Sequence, residues 1–397
     1  MSAPDITDAE IEAVTQVLRT PHLSIGPRIA AFEERVAAYI GAKHAIGVSS
    51  GTAGLHLCVI AADVRDGDLV ITTPFSFVAS ANVILYERAI PIFVDIDSNS
   101  LNLDVGRLRE AVEALSGSGE EEDARRWLPP ALRQAATWRG KLKAILAVHA
   151  FGQPADMDPI AAMAREHELS VIEDACEAIG ARYKQRMAGR LGDVAVFAFY
   201  PNKQMTTGEG GVIVTDRDDW DALFRSLRNQ GRDVFDEWLN HSRLGYNYRL
   251  DEMSAALGLA QMERIEELLG RRERVAGWYA ERLSDVSDVQ IPDAVSTTSR
   301  MSWFVYVIRL APNIDRSTVM AALQERGIPS RPYFSPIHLQ PFYRRRFDFS
   351  EGDYPVSEEV ARRALALPFS SVMTEDDVGY VCENLAVVLR QSGRRGS

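Results

Sequence analysis

Lys203 lies in the segment Phe199-Tyr200-Pro201-Asn202-Lys203-Gln204-Met205-Thr206-Thr207-Gly208-Glu209-Gly210-Gly211, between apolar strand-like runs at 193–199 and 212–214. Fenced by Pro201 on one side and by Gly208, Gly210 and Gly211 on the other, it has a fixed address at a strand end. Upstream, Val171-Ile172-Glu173-Asp174-Ala175 puts an aspartate at the end of another apolar strand. An amine that adds to aldehydes and a carboxylate that can hold a protonated pyridine nitrogen form the pair that pyridoxal phosphate (PLP) chemistry requires. Lysine suits this work because its amine can also shuttle a substrate proton once released, and burial beside a cation lowers its pKa towards working pH. The plain alternatives are a solvent-exposed loop lysine and an aspartate that caps a turn.

A second feature would serve the same cofactor. Ser49-Ser50-Gly51-Thr52-Ala53-Gly54 joins a strand to a helix, and its small residues let backbone N–H groups at the helix start approach a phosphate. The ordinary reading is a helix with Ser50 as N-cap. His149 ends a strand before Phe151-Gly152-Gln153-Pro154, and either a structural role or a substrate contact fits it. Asn247 and Arg249 sit in an aromatic loop, Gly245-Tyr246-Asn247-Tyr248-Arg249-Leu250, that leads into a helix.

The elements that must position these residues are strands alternating with helices. Runs at 45–48, 69–73, 91–94, 144–148 and 170–173 are short and apolar on both faces, as in buried, mostly parallel strands. Helical patterns at 52–62, 79–86 and 160–168 separate several of them, which predicts an α/β sheet covered by helices. Ser50-Gly51-Thr52, His149, Asp174 and Lys203 all fall at strand ends, where ligands of such sheets bind. Residues 116–123, a Ser-Gly tract followed by acidic residues, break the rhythm and read as a surface insertion near 115–140. From 253 a long amphipathic helix to 269 is expected, helical again at 271–283, then a strand at 304–310 and a helix at 316–326. The expected division is a large domain, 1–280, with an N-terminal helical segment, and a smaller C-terminal α+β domain, 281–397.

The chain has 397 residues, of which 46% are apolar and 25% charged, with a formal net charge of −12. That balance suits a soluble two-domain protein and argues against general nucleic-acid binding, since no basic excess is available for phosphates. Cys58, Cys176 and Cys382 are far apart in apolar contexts, as buried free thiols of a reducing compartment would be; no metal site is expected. The acidic stretch from Asp5 to Glu12 is unlike a signal peptide, and no apolar run reaches the roughly 18–20 residues of a membrane span. A cytoplasmic protein without membrane partners is the expectation.

Taken together, Ser-Gly-Thr-Ala-Gly-Leu-His-Leu (50–57), Pro-Phe-Ser-Phe-Val-Ala-Ser-Ala-Asn (74–82), His-Ala-Phe-Gly-Gln-Pro-Ala-Asp-Met (149–157), Glu-Asp-Ala-Cys-Glu-Ala-Ile-Gly-Ala (173–181), the Lys203 segment and Gly-Tyr-Asn-Tyr-Arg-Leu (245–250) resemble the DegT/StrS family of nucleotide-sugar aminotransferases. The resemblance runs in order from about residue 23 to Pro-Ile-His-Leu-Gln-Pro-Phe-Tyr (336–343). It implies a fold-type-I PLP enzyme that works as a homodimer with shared active sites. By position, Lys203 would carry PLP and Asp174 would meet its ring nitrogen. Gly51, Thr52 and Ala53 would hold the phosphate, with Asn247 reaching it from the neighbouring subunit, and Phe77 would stack on the ring. Glu177 stands where many members have a glutamine near the cofactor's phenolic oxygen. Ala198 replaces a serine that bonds the phosphate in many members, a loss of about 1.5–3 kcal/mol if nothing compensates. His149, Arg249, Arg331 and His338 are the candidates for the substrate, with Arg228 a further one for a diphosphate.

The implied reaction moves an amino group from glutamate to a nucleotide-linked keto-sugar. The Thr-Thr-Gly-Glu-Gly-Gly turn after Lys203 resembles that of members acting at C4 of 4-keto-6-deoxy sugars more than that of members acting at C3. A keto-cyclitol acceptor is an alternative on the same machinery. Sugar dehydratases of this fold replace the lysine with histidine, so Lys203 argues against one. A non-catalytic PLP-fold regulator would need loss of Lys203 or Asp174.

Overall fold

The computed structural model describes residues 2–117, 121–134, 140–233 and 240–393. A seven-stranded sheet forms its centre, in the order His44–Val48, Gly211–Thr215, Val194–Ala198, Ser170–Asp174, Leu142–Val148, Leu69–Thr72 and Ile90–Phe93. Only Gly211–Thr215 runs against the others. Alternate residues point to opposite faces, and both faces are covered. Ala144, Leu146 and Val148 pack with Leu55 and Val59 of the helix Gly51–Ala61. Ile145 and Ala147 pack instead with Ile160 and Met163 of the helix Met157–Glu166. Strand and helix positions thus follow the apolar pattern read from the sequence.

Two expectations change in detail. The segment from 252 is not one helix running to 269: Glu252–Glu263 stops where Arg264 leaves helical backbone (φ −115°, ψ 15°), and Ile265–Leu283 starts anew. Arg264 bonds Asp5 at 3.0 Å and Glu10 at 3.3 Å, so the break ties the N-terminal segment to the main body. Within 115–140, Glu121–Arg125 and Pro130–Leu132 are short helices, and Ala124 and Leu128 are buried against Val112 and Leu115. Residues 118–120 and 135–139 of that insertion lie outside the described residues.

The helix Ile265–Leu283 serves two cores. Ile265, Leu268 and Leu269 pack with the large sheet's Ala195 and Phe197, whereas Val275, Ala276, Tyr279 and Leu283 pack with a C-terminal antiparallel sheet. That sheet has four strands, Val289–Gln290, Tyr306–Leu310, Ala364–Leu367 and Arg331–Pro332 in spatial order. Arg316–Glu325 and Glu375–Gly393 cover it.

Candidate active site

Register brings the strand ends together. Val148 is opposite Asp174, and Asp174 is opposite Val196, so three neighbouring parallel strands finish at one edge of the sheet. Val148, Asp174 and Ala198 there line a cavity of about 680 Å³, joined by Gly51 and Thr52, Phe77, Glu177 and Lys203. The C-terminal part of the chain closes it with Phe304, Tyr333, Phe334 and Ser335.

The Lys203 loop is held from several directions. The Phe199 carbonyl accepts from the Thr207 N–H and the Thr206 hydroxyl, both at 3.0 Å. Gly208 (φ +82°) and Gly210 (φ +154°) turn the chain back, and a Cβ on Gly210 would lie 2.4 Å from Thr207 Oγ1. Gly210→Ala should therefore cost about 1–3 kcal/mol in chemical unfolding, and a variant as stable as wild type would contradict this account of the turn. Gln204 donates to the Glu177 carbonyl at 2.6 Å and to the Ser302 hydroxyl at 2.8 Å. Arg272, fully buried, donates to the Lys203 carbonyl at 2.7 Å and to the Phe304 carbonyl at 3.2 Å. Burial lowers its pKa to about 10. These bonds couple the lysine loop to the entry of the C-terminal sheet, and Lys203 Nζ sits 3.9 Å from the centre of the Phe304 ring.

Lys203 Nζ faces Glu177 Oε1 at 3.4 Å, and the other Glu177 oxygen accepts from the Phe151 N–H at 2.9 Å. Burial pushes the Glu177 carboxyl above the ordinary carboxylate range, against the pull of the Lys203 charge and the Phe151 N–H. Asp174 is buried; its Oδ2 accepts from the Ser80 hydroxyl at 2.8 Å and its Oδ1 from the Cys176 N–H at 3.2 Å. Among the described residues Asp174 has no ion-pair partner.

The helix Gly51–Ala61 starts beside these groups. Ser50 is its N-cap, as expected, with its hydroxyl oxygen accepting from the Ala53 N–H at 3.0 Å. The first turn of a helix leaves N–H groups without intrahelical acceptors, a natural place for a phosphate. The turn fits tightly against the strand: a Cβ on Gly51 would lie 2.7 Å from Ala198 Cβ and 2.8 Å from Cys176 Sγ. Phe77 is 64% exposed and free to cover a flat ring.

The donor set fits PLP on this geometry. A buried carboxylate lacking a cation, a reachable amine and a helix start with small residues surround one cavity of the right size class. Ala53 is not on its wall, since Ala53 is buried and its N–H is taken by Ser50. Asn247 is exposed and also off the wall, paired across a bridge with Asn229.

The structure draws the two histidines out of the substrate set. His149 has no exposed surface; Nε2 meets Glu173 at 2.9 Å and Nδ1 accepts from the Ala155 N–H at 3.1 Å. His338 is equally buried, with Nε2 at 2.9 Å from Glu358, and burial lowers its pKa. Arg228 is used structurally, bonded to Glu33 and to the Gly47 carbonyl. Arg249 donates to Asn229 at 3.1 Å, and exposed Arg331 to the Ser330 carbonyl at 3.2 Å; neither lines the cavity. Ser80, Arg272 and Phe304 also belong to the site, and for Arg272 and Phe304 the sequence carries no mark of it. Ser80 alone left a signal, being four residues beyond Ser76 in the Pro-Phe-Ser-Phe-Val-Ala-Ser segment, with the two hydroxyls 2.8 Å apart.

Comparison with known proteins decides the family. The model of the DegT/DnrJ/EryC1/StrS aminotransferase family matches residues 4–386. The chain belongs to that family. This aminotransferase is PLP-dependent, as its family is. It is 38% identical over 392 residues to the GDP-perosamine synthase of Caulobacter vibrioides, covering 98% of each chain. It is 34% identical to the spore coat polysaccharide biosynthesis protein SpsC of Bacillus subtilis, over 98% of this chain and 96% of that one. A DegT DnrJ EryC1 StrS aminotransferase from Brucella abortus superposes with a TM-score of 0.84 at 30% identity, over 97% of this chain and 96% of that one.

One consequence concerns Glu177. Were Lys203 to carry PLP, a carboxylate at Glu177 would favour the protonated form of that linkage, so Glu177→Gln should lower the pH at which the proton is lost by about 1–2 units. A spectrophotometric pH titration reads this directly, and an unmoved midpoint would remove Glu177 from the cofactor's electrostatics.

Proposed function

We propose that this aminotransferase transfers an amino group from glutamate to a nucleotide-linked keto-sugar, at C4 of a 4-keto-6-deoxy sugar. The observation that carries the reading is the meeting of Lys203, Asp174, Glu177 and the Gly51-Thr52 helix start in one cavity. The similarity to a protein named GDP-perosamine synthase supports the sugar acceptor. Bound PLP supplies an electron sink that makes a proton on the substrate carbon removable. Asp174, positioned by Ser80, would keep the ring nitrogen protonated; Thr52 and the helix start would hold the phosphate, and Phe77 would cover the ring. Lys203 would hold the cofactor, and its amine would carry the substrate proton in both half-reactions, first with glutamate and then with the keto-sugar. Ala53 supports the phosphate turn from behind, its N–H fixing Ser50. The working form is a cytoplasmic homodimer in which the partner's copy of the 245–250 loop brings Asn247 to the phosphate. The large PLP-binding domain spans 1–280 and the smaller one 281–397.

The test incubates PLP-loaded protein and glutamate with a panel of nucleoside diphosphate 4-keto-6-deoxy sugars, their 3-keto counterparts and keto-cyclitols, with products identified by mass spectrometry and NMR. Amination of a 4-keto nucleotide sugar is the expected result. Turnover of a keto-cyclitol with no nucleotide sugar accepted would overturn the reading.

A further inference from the structure

Arg272 is buried, and among the described residues no carboxylate pairs with it. A guanidinium taken out of water without a counter-ion is costly, and an apolar side chain of similar length would fill the same space without that cost. Its place therefore calls for a reason beyond packing. The guanidinium divides its donors between two segments. Nη2 donates to the Lys203 carbonyl at 2.7 Å and to the Asn202 carbonyl at 3.3 Å. Nη1 donates to the Phe304 carbonyl at 3.2 Å and to the Trp303 carbonyl at 3.3 Å. A rigid planar fork holds two chains at one spacing, which the single charged point of a lysine does not. The fork itself is well anchored, since its helix, Ile265–Leu283, packs on the large sheet through Leu269 and on the C-terminal sheet through Val275.

The two clamped segments are the ones that seat the reactive amine. Lys203 Nζ lies 3.9 Å from the centre of the Phe304 ring, so one guanidinium holds the backbone of the lysine and the backbone of the ring it faces. Residues 302–304 are in turn tied to the strand-end loops: the Ser302 hydroxyl donates to the Ile179 carbonyl at 2.6 Å, and the Ser302 N–H to the Gly152 carbonyl at 2.9 Å. The groups that would hold the ring nitrogen and the phosphate are supported elsewhere, Asp174 by Ser80 and the Gly51 turn by Ser50.

We propose that Arg272 is a positioning residue: it fixes the Lys203 loop against Phe304 and so sets where the amine stands relative to the cofactor. The inference rests on Lys203 carrying PLP, as proposed above, and adds the group that places its amine. Attachment joins the Lys203 nitrogen to the aldehyde carbon of PLP, two amine protons leaving with the aldehyde oxygen as water. Its rate depends on where the amine stands, whereas affinity for the ring and phosphate does not.

The test uses the full chain freed of cofactor, with two probes. Pyridoxamine phosphate has the ring and the phosphate but no aldehyde, so its affinity in calorimetry reads the pocket apart from the lysine. The absorbance change on mixing with saturating PLP reads attachment. Arg272→Met should attach PLP about 100-fold more slowly and lose a similar factor in kcat, with pyridoxamine phosphate affinity and the KM for glutamate unchanged. Arg272→Lys keeps the charge but holds one segment only, so attachment should slow about 10-fold. Circular dichroism checks the fold, and Arg272→Lys carries the test if Arg272→Met does not fold. Attachment at the wild-type rate in a folded variant would overturn the proposal. So would pyridoxamine phosphate affinity lost in step with the attachment rate, since Arg272 would then support the pocket as a whole. If borohydride fixes PLP in the wild-type protein on a lysine other than Lys203, the underlying assignment fails and this one with it.

Discussion

Lys203→Ala is expected to reduce kcat/KM for amino transfer by about 10⁴-fold or more, combining loss of the anchoring amine with loss of the proton carrier. The effect should fall on kcat. Asp174, Thr52 and Phe77 stay in place, so PLP should still bind, noncovalently, and the absorbance band of the lysine-bound cofactor should vanish. Removing the ammonium also deprives Glu177 of the charge 3.4 Å away, and a buried carboxyl already biased towards its protonated form can meet that loss by taking a proton. The fold should therefore survive, which circular dichroism would check. A Lys203→Ala enzyme that transaminates at the wild-type rate would refute the assignment.

The second large effect belongs to Asp174→Asn. The amide keeps the size of the side chain and an oxygen for the Ser80 hydroxyl, now 2.8 Å from Oδ2, so packing should change little. What disappears is the negative charge. In a buried site that charge would stabilise the protonated pyridine and hence the charge that develops as the substrate proton leaves. A loss of about 10²–10³-fold in kcat is expected, with PLP affinity weakened far less. Single-turnover kinetics of the glutamate half-reaction separates the two effects. A rate within a few-fold of wild type would show that Asp174 serves only as a turn cap.

The sequence made the framework legible because buried parallel strands announce themselves as short apolar runs, and because PLP chemistry needs its lysine and aspartate at strand ends. It also disclosed Ser50 as a cap, since a cap bonds within three residues of itself. Contacts made across the fold left less trace. Nothing in the spacing around Phe304 or Arg272 points to Lys203; tertiary packing alone brings them there. The histidines mislead for a related reason. A histidine at a strand end can face the cavity or be bonded inward, and Glu173 and Glu358 decide the matter from positions that the local pattern does not reveal. The break at Arg264 was hidden in the same way, its partners Asp5 and Glu10 lying at the other end of the chain. Arg345 and Arg346 are the sharpest case: in sequence they are two more surface arginines, and only the fold sets them on the wall of a cavity that shares Ser76, Phe77, Phe334 and Ser335 with the site.

Every role proposed for this site rests on Lys203 being the residue that carries the cofactor. Reducing the PLP-loaded protein with borohydride, digesting it and mapping the pyridoxyl phosphate mass tests this directly. The account predicts the label on the peptide containing Lys203, and its loss when glutamate is added before the reductant. A label on a different lysine, or none despite bound PLP, would contradict it.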